Sequence, residues 1–202
     1  MIDRRSLLST GSAATLGALA LTAVASGTDL AAAATQNPEL FGDPAQNPNA
    51  EHVYPKHLSH QEREHLRTFD ELDFVIYSGQ EWNRLDESHA DNVRVHYADG
   101  HYTDGLDRHI ADMKGQFVWA PDTRIIDHPI RIAKENLTAV TGVAVGSFTR
   151  PMPDGQGGFI PPTGKKFAFN MVTVGIWNKR GVMDEEFVFI DSQTIMKQIG
   201  LA

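Results

Sequence analysis

Two long β-strands joined by a tight turn are predicted by residues 166–190, KFAFNMVTVGIWNKRGVMDEEFVFI. Lys166–Asn178 and Gly181–Ile190 are rich in Val, Ile, Thr and Phe, which are the residue types that favour strands. The residues Asn178-Lys179-Arg180-Gly181 between them are typical of a hairpin turn. This stretch therefore predicts an antiparallel sheet in the C-terminal half of the chain.

Further strands and several helices precede this hairpin. Thr123–Ile132 and Thr138–Arg150 are also strand-like, and a short strand is predicted at Asn92–Tyr97. The order is helices, a short strand, a helix and then long strands. Such an order predicts an α+β fold in which a curved sheet wraps around helices.

The helices are predicted from capping residues and from apolar residues at helical spacing. Ser59 and Glu62 form a candidate capping box, and Leu66, Phe69 and Leu72 follow on one face. The other predicted helices are a short one from Ser78-x-x-Glu81 with Trp82 and Leu85, one capped by Asp104 with Leu106, Ile110, Met113 and Phe117, and a last one over Ser192–Ile199.

The N-terminus predicts export from the cytoplasm. Arg4 and Arg5 form a twin-arginine motif, and a weakly hydrophobic run from Thr10 to Ala25 follows. We expect a signal peptide over 1–34, an extended Pro-rich arm over 35–58 and one domain over 59–202. The alternative is an uncleaved N-terminal anchor, although the run is shorter and less apolar than a stable membrane span. The mature protein is expected in the periplasm or outside the cell, without a membrane anchor.

Composition excludes several classes of function. The chain has 202 residues, no cysteine and a formal net charge of −8. Without cysteine there is no disulfide, thiolate catalysis or zinc–thiolate site. A net negative charge argues against a nucleic-acid partner, because binding to phosphates needs a basic surface.

Several short motifs in a fixed order carry a resemblance to a known family. They are Trp82 through Val95, Gly105-Leu106, Pro121-Asp122, Pro162-Thr163-Gly164-Lys165, and Glu185/Glu186 through Asp191 to Gln198-Ile199-Gly200. Together they resemble the SnoaL-like polyketide (ester) cyclases of the nuclear-transport-factor-2-like superfamily. The resemblance covers the chain from about Glu62 to Leu201.

The resemblance implies a conical α+β fold, with a curved, mostly antiparallel sheet around three N-terminal helices and a short C-terminal helix. It implies a deep apolar pocket and cofactor-free acid/base chemistry on a hydrophobic molecule that carries a carbonyl or ester group. Relatives commonly form homodimers, and the apolar strands Thr138–Phe148 and Phe167–Trp177 favour a dimer here too. One departure is that the histidine of the family's Gly-Thr-His-x-Gly stretch falls on Ala144.

Asp191 is the leading candidate for the catalytic acid/base, by its match to the family's aspartate. Strand alternation places Met183, Glu185, Phe187, Phe189 and Asp191 on one face. A carboxylate among phenylalanines should have a raised pKa, because burial disfavours the charged form. The alternative is that Asp191 only caps the helix that follows it.

His96 is the second candidate catalytic group, since it lies at a strand end where it could enter a pocket mouth. A polar turn is the alternative for both His96 and His101. His109 is expected on the surface. The candidate ligand-binding residues are Tyr97, His101, Trp119, Trp177, Glu185, Phe187 and Phe189.

No cofactor or metal is expected from the sequence. There is no dinucleotide fingerprint, and His52, His57, His60 and His65 lack a recognised ligand spacing. Three hypotheses remain: an exported acid/base enzyme of the cyclase, isomerase or hydrolase type, a non-catalytic module that binds a small apolar molecule, and a subunit whose sheet serves dimerisation. Asp191 favours the enzyme, whereas Ala144 favours the binding module.

Overall fold

The computed structural model describes residues 54–202. The predicted signal peptide and most of the predicted arm lie outside these residues. Within the described part of the chain, no helix is long and apolar enough to cross a membrane.

Three α-helices and nine β-strands form the described domain. The helical segments are α1 (His60–Glu71), a π-helical turn (Leu72–Tyr77), a 3₁₀ helix (Trp82–Glu87), α2 (Leu106–Trp119) and α3 (Ser192–Ile199). The strands are β1 (His89–Tyr97), β2 (Tyr102–Asp104), β3 (Arg124–Asp127), β4 (Arg131–Lys134), β5 (Leu137–Ser147), β6 (Met152–Pro153), β7 (Phe159–Ile160), β8 (Lys166–Trp177) and β9 (Met183–Ile190).

One seven-stranded sheet organises the domain. Its order is β2-β1-β9-β8-β5-β3, and β4 also pairs with β5. Only the β1–β9 pair is parallel within this sheet. The predicted α+β fold with a mostly antiparallel sheet, N-terminal helices and a short C-terminal helix is confirmed.

The strongest local signals in the sequence are found where they were expected. Ser59 Oγ accepts from the backbone N–H of Glu62, and Glu62 accepts from the N–H of Ser59, which confirms the capping box of α1. The turn between β8 and β9 is closed by a hydrogen bond from the N–H of Gly181 to the carbonyl of Asn178, with Gly181 at φ +82°. That φ value lies in the left-handed region that glycine adopts readily.

The predicted strand Thr123–Ile132 is wrong as a single element. It is divided into β3 and β4, and His128, Pro129 and Ile130 lie between them. Proline cannot donate a ladder hydrogen bond, which accounts for the break. His128 lies within this break, and its side chain is buried in the interior, where the residue is only 1% exposed.

Two helix starts also differ from the prediction. Asp104 does not cap α2, because its carboxylate pairs with Arg94 across the β1–β2 ladder and Gly105 stands at the cap position. The segment from Ser78-x-x-Glu81 forms a 3₁₀ helix that begins only at Trp82.

The core consists of two apolar clusters between the helices and the sheet. The first contains Trp119, Ala120, Ile125, Ala144, Phe148, Met152, Phe167, Phe169, Ile195 and Ile199. The second contains Leu66, Phe69, Leu72, Ile76, Leu85, Val140, Trp177 and Met183. Buried polar side chains lie beside these clusters.

Candidate active site

Asp191 is the helix cap of α3. Its carboxylate accepts from the backbone N–H of Thr194 at 3.0 Å and from the Thr194 hydroxyl at 2.6 Å, and the residue is exposed. These hydrogen bonds from Thr194 lower the pKa of Asp191. The expectation of a buried Asp191 with a raised pKa is therefore wrong, and the capping alternative describes what its side chain does in the structure.

The predicted residues on β9 lie on the outer face of the sheet, the face turned away from the helices. A register shift between Ile176 and Trp177 changes the alternation at the start of β9. As a result Glu186 is buried, whereas Glu185 and Phe187 are partly exposed. The prediction that Met183 and Glu185 share a face is wrong, because strict alternation cannot anticipate this irregularity.

His96, Glu185 and Phe187 form what we call the outer-face cluster. His96 Nε2 lies 3.0 Å from Glu185 Oε2. The His96 ring stacks on Phe187, with centroids 4.3 Å apart and an interplanar angle of 6°. These three predicted residues are thus brought together, but on a surface rather than in a closed pocket.

The other predicted ligand-binding residues divide between surface and core. Tyr97 stacks on His101, and its hydroxyl donates to Asp112 at 3.3 Å. Trp119 packs against aromatic side chains in the first apolar cluster. Trp177 is buried and donates from Nε1 to Thr138 Oγ1 at 2.9 Å. Both tryptophans therefore serve as core residues in this structure.

Two surface depressions lie in different parts of the described domain. One, of about 580 Å³, lies on the outer face, and its lining includes Phe189 and Asp191 beside Met171 and Val172. The other, of about 750 Å³, lies beside the start of α1, with Glu62 and Lys134 in its wall. The first joins two of the predicted residues, Phe189 and Asp191.

A buried polar group that the sequence analysis did not identify lies in the interior. We call it the His128 cluster; its members are Tyr54, Asp70, Asp73, His128 and Arg131. His128 Nδ1 lies 2.7 Å from Asp70 Oδ1, and His128 Nε2 lies 2.8 Å from Asp73 Oδ2. One imidazole therefore contacts a carboxylate through each ring nitrogen.

Asp70 is held by further donors within this cluster. Arg131 Nε donates to Asp70 Oδ1 at 2.9 Å, and the Tyr54 hydroxyl donates to Asp70 Oδ2 at 2.6 Å. Tyr54 belongs to the predicted Pro-rich arm and is partly buried, so the end of that arm supplies a hydroxyl to Asp70. These contacts fix Asp70, and Asp70 in turn fixes the ring of His128.

The pKa directions in the cluster follow from burial and hydrogen bonding. Burial raises the pKa of Asp73. Burial alone would lower the pKa of His128, but the hydrogen bonds with Asp70 and Asp73 outweigh it and the pKa is raised. Burial opposes ionisation of Asp70, yet its donors His128, Tyr54 and Arg131 outweigh this and lower its pKa. The cluster therefore favours protonation of Asp73 and His128 and ionisation of Asp70.

Two features of the surroundings of Asp73 and His128 favour a role in catalysis. Asp73 lies in the π-helical turn that follows α1, and such turns are frequent at functional sites. The Phe74 ring lies against His128, with centroids 4.4 Å apart, and Phe74 also packs on the first apolar cluster. The cluster thus lies next to apolar side chains that would suit a hydrophobic substrate.

A second buried polar group contains His89, His109 and Glu186, which we call the Glu186 cluster. Its three side chains come from β1, α2 and β9 and are all buried. The prediction that His109 lies on the surface is wrong, because α2 turns this side chain toward the sheet. These residues are far apart in the sequence, so no local spacing signals them.

No local motif would have identified the His128 cluster either. Asp70 and Asp73 are spaced i,i+3, whereas His128 lies in the break between β3 and β4 and Arg131 opens β4. Each pair is common on exposed surfaces. Only the packing of α1 against the β4 region brings the two pairs together and removes water from them.

Comparison with models of protein families identifies one family for this chain. A family model described as SnoaL-like polyketide cyclase matches residues 63–199. None of the curated proteins compared with the chain matches it.

Solved structures with the same fold come from several bacteria. A proposed SnoaL-like polyketide cyclase from Jannaschia sp. CCS1 is 18% identical, with 73% of this chain and 99% of that chain covered and a TM-score of 0.63. IdmH, a proposed polyketide cyclase from Streptomyces antibioticus, is 20% identical, with 67% and 98% covered and a TM-score of 0.57. An LEH-like epoxide hydrolase from M. tuberculosis is 9% identical, with 69% and 91% covered and a TM-score of 0.51. At these identities the likeness shows the fold alone.

Proposed function

Because the chain belongs to the SnoaL-like polyketide cyclase family, we propose that it is an acid/base enzyme acting on a hydrophobic small molecule that bears a carbonyl or ester group. Asp73 and His128 are the groups that exchange protons with this molecule. The observation that carries the proposal is the buried imidazole of His128 held between Asp70 and Asp73 at hydrogen-bond distance.

The arrangement separates two roles for two carboxylates. Asp70 is ionised and hydrogen-bonded by Tyr54 and Arg131, so it is a positioning residue that orients His128. Asp73 has a raised pKa and shares a hydrogen bond with the other ring nitrogen. A carboxyl group with a raised pKa can remove a proton next to a carbonyl and later return one, and such catalysis contributes roughly 10²–10⁴-fold.

The neighbouring side chains support a hydrophobic substrate. Phe74 covers His128 and joins the first apolar cluster, which contains Trp119 and Phe169. A bound molecule would displace Phe74 and place its apolar part among these rings, with its acidic C–H near Asp73. In such a dry site, hydrogen bonds and charges act more strongly than in water.

Proton exchange tests this proposal without knowledge of the final product. The purified protein is incubated in D₂O with hydrophobic ketones and esters that carry a C–H next to the carbonyl, and deuterium uptake is followed by mass spectrometry. We expect uptake catalysed by the wild type and lost in Asp73→Asn, with Asp191→Asn as the matched carboxylate control. Equal uptake by wild type and Asp73→Asn would contradict the role of Asp73.

A non-catalytic binding module is the second candidate function. Ala144 favours it, because this inward-facing position of β5 is apolar and packs among Ile125 and Phe169 where the family's stretch has a histidine. Tight binding of an apolar molecule, without deuterium uptake by any bound carbonyl compound, would support this function.

We propose that the protein is exported by the twin-arginine route and acts in the periplasm or outside the cell. The support is the Arg4-Arg5 motif and the small-residue run behind it. Replacing both arginines by lysine should leave an uncleaved precursor inside the cell. Normal secretion of that variant would contradict the proposal.

We also propose that two copies associate through the outer face of the sheet. Large apolar side chains are exposed there, including Leu137, Val172 and Phe189. Exposed apolar patches of this kind are typical of interaction surfaces. Val172→Asp with Phe189→Asp should give a monomer by light scattering at micromolar concentration. Phe159→Asp, on an exposed residue of the separate β6–β7 hairpin, is the control.

A further inference from the structure

We propose that His89, His109 and Glu186 form a binding site for a divalent transition-metal ion with the ligand preferences of Zn²⁺. The site is separate from the His128 cluster. It uses two imidazole nitrogens and one carboxylate oxygen, a donor set that suits zinc and related ions.

The distances from each histidine to Glu186 match those between neighbouring ligands in a zinc site. His89 Nε2 lies 3.4 Å and His109 Nε2 lies 3.3 Å from Glu186 Oε2. All three donor atoms lie within 4.8 Å of one another. Bonds of about 2.0–2.1 Å from a tetrahedral zinc ion place neighbouring ligand atoms roughly 3.3–3.4 Å apart. The side chains therefore surround a point that an ion can occupy with little movement.

The same distances are long for hydrogen bonds between histidine and carboxylate. Charge-assisted hydrogen bonds are commonly about 2.7–2.9 Å. His128 satisfies this range with both of its buried carboxylates, at 2.7 and 2.8 Å. Glu186 approaches two histidines and makes a short contact with neither. This difference between two buried clusters favours coordination of a shared ion by His89, His109 and Glu186 over direct hydrogen bonds between them.

Burial also suits these three ligands, since all of them are shielded from water. His89 Nδ1 contacts Ser88 Oγ at 2.9 Å, which orients the ring and leaves Nε2 to face Glu186. His109 Nδ1 has no hydrogen-bond partner among the described residues, so of the two ring nitrogens only Nε2 faces Glu186.

Because its residues lie on three separate elements, the Glu186 cluster would allow a bound ion to stabilise the fold. His89 opens β1, His109 lies in α2, and Glu186 lies on β9. A bound ion would connect α2 to the parallel β1–β9 pair. Three protein ligands also leave at least one coordination position for water or a small ligand. This proposal departs from the sequence expectation of no metal, because ligands at positions 89, 109 and 186 form no local motif.

Metal content and cobalt substitution test the site. The protein is purified with a tag that contains no histidine, stripped with a chelator and titrated with Zn²⁺ by calorimetry. We expect one equivalent bound and a rise in Tm, because a ligand that binds only the native state stabilises it. Co²⁺ in place of Zn²⁺ should give the visible absorption of a tetrahedral site with nitrogen and oxygen ligands.

Variants assign the binding to these residues. Glu186→Gln keeps the size of the side chain but removes the charge, and it should weaken Zn²⁺ binding by more than about 100-fold, since loss of outer-sphere partners alone costs roughly 10–100-fold. His96→Gln, from the exposed His96–Glu185 pair, is the matched control and should bind Zn²⁺ as the wild type does. Absence of stoichiometric Zn²⁺ and of the Co²⁺ absorption in the wild type would overturn the proposal, as would equal binding by Glu186→Gln.

Discussion

The His128 cluster and the outer-face cluster both contain a histidine–carboxylate contact, but in different environments. Each brings a histidine against a carboxylate and an aromatic ring. In the interior His128 is 1% exposed, whereas the side chains of His96 and Glu185 are 30% and 45% exposed. Water screens the outer pair, so its contribution to stability should be at most about 1 kcal/mol. Burial strengthens the interior contacts and makes each of them costly to lose.

The comparison teaches that residue type alone does not locate the site. His96 and Glu185 were identified from the sequence because they lie on recognisable strands. His128, Asp70 and Asp73 were not, although their environment shifts the pKa of every one of them. Perturbed pKa values cluster at functional sites, which favours the interior cluster.

The largest expected effect is on catalysis. On any compound that the wild type turns over, His128→Gln should reduce the rate by roughly 10²–10⁴-fold, because it removes the proton carrier next to Asp73. His96→Gln should change the rate by no more than about twofold, as for most surface substitutions. Steady-state rates of both variants measure the difference. A larger loss in His96→Gln than in His128→Gln would reverse the comparison and return the site to the outer face.

The second-largest expected effect is on stability, which should also distinguish the two clusters. Asp70→Ala removes the partner of both His128 and Arg131 and should lower the free energy of unfolding by about 3–5 kcal/mol, as when one member of a buried ion pair is removed. Glu185→Ala should lower it by less than about 1 kcal/mol. Urea unfolding of the two variants measures both values. Similar losses would mean that the interior pairing contributes no more than a surface pair.

The pH dependence of stability should come in part from His128. Its pKa is raised by Asp70 and Asp73, so its stabilising effect is fully present below the unfolded value of about 6.5 and is lost as the pH rises through the folded value. The slope should reach at most about 1.4 kcal/mol per pH unit for one proton. Urea unfolding between neutral and alkaline pH should show a smaller decline in His128→Gln than in the wild type. An unchanged decline would mean that His128 carries no extra proton in the native state.

The smallest expected effect is at Asp191. Asp191→Ala should lower the free energy of unfolding by about 1 kcal/mol, because the N–H of Thr194 loses its acceptor, whereas Asp191→Asn should change it by only a few tenths, since both residues cap helices well. Thermal unfolding checks the stability of both variants. An inactive Asp191→Asn with unchanged stability would place chemistry on the outer face and contradict our assignment to the interior.

The elements of the fold were predictable because their signals are local. The capping box at Ser59 and Glu62, the turn at Asn178–Gly181 and the helix Ser192–Ile199 depend on residues a few positions apart. The errors arose where a backbone irregularity intervened. The Pro129 break and the register shift near Trp177 both change which side chains face inward.

The sequence by itself determined the order of helices and strands, the absence of thiol chemistry and the family resemblance. These follow from hydrophobic periodicity, turn residues and composition, which act over short distances along the chain. Only the tertiary structure decided which polar groups are buried together. Tyr54, Asp70 and His128 meet across many residues of intervening chain, and so do His89, His109 and Glu186. Their chemistry depends on the exclusion of water, and water is excluded only when the helices pack on the sheet.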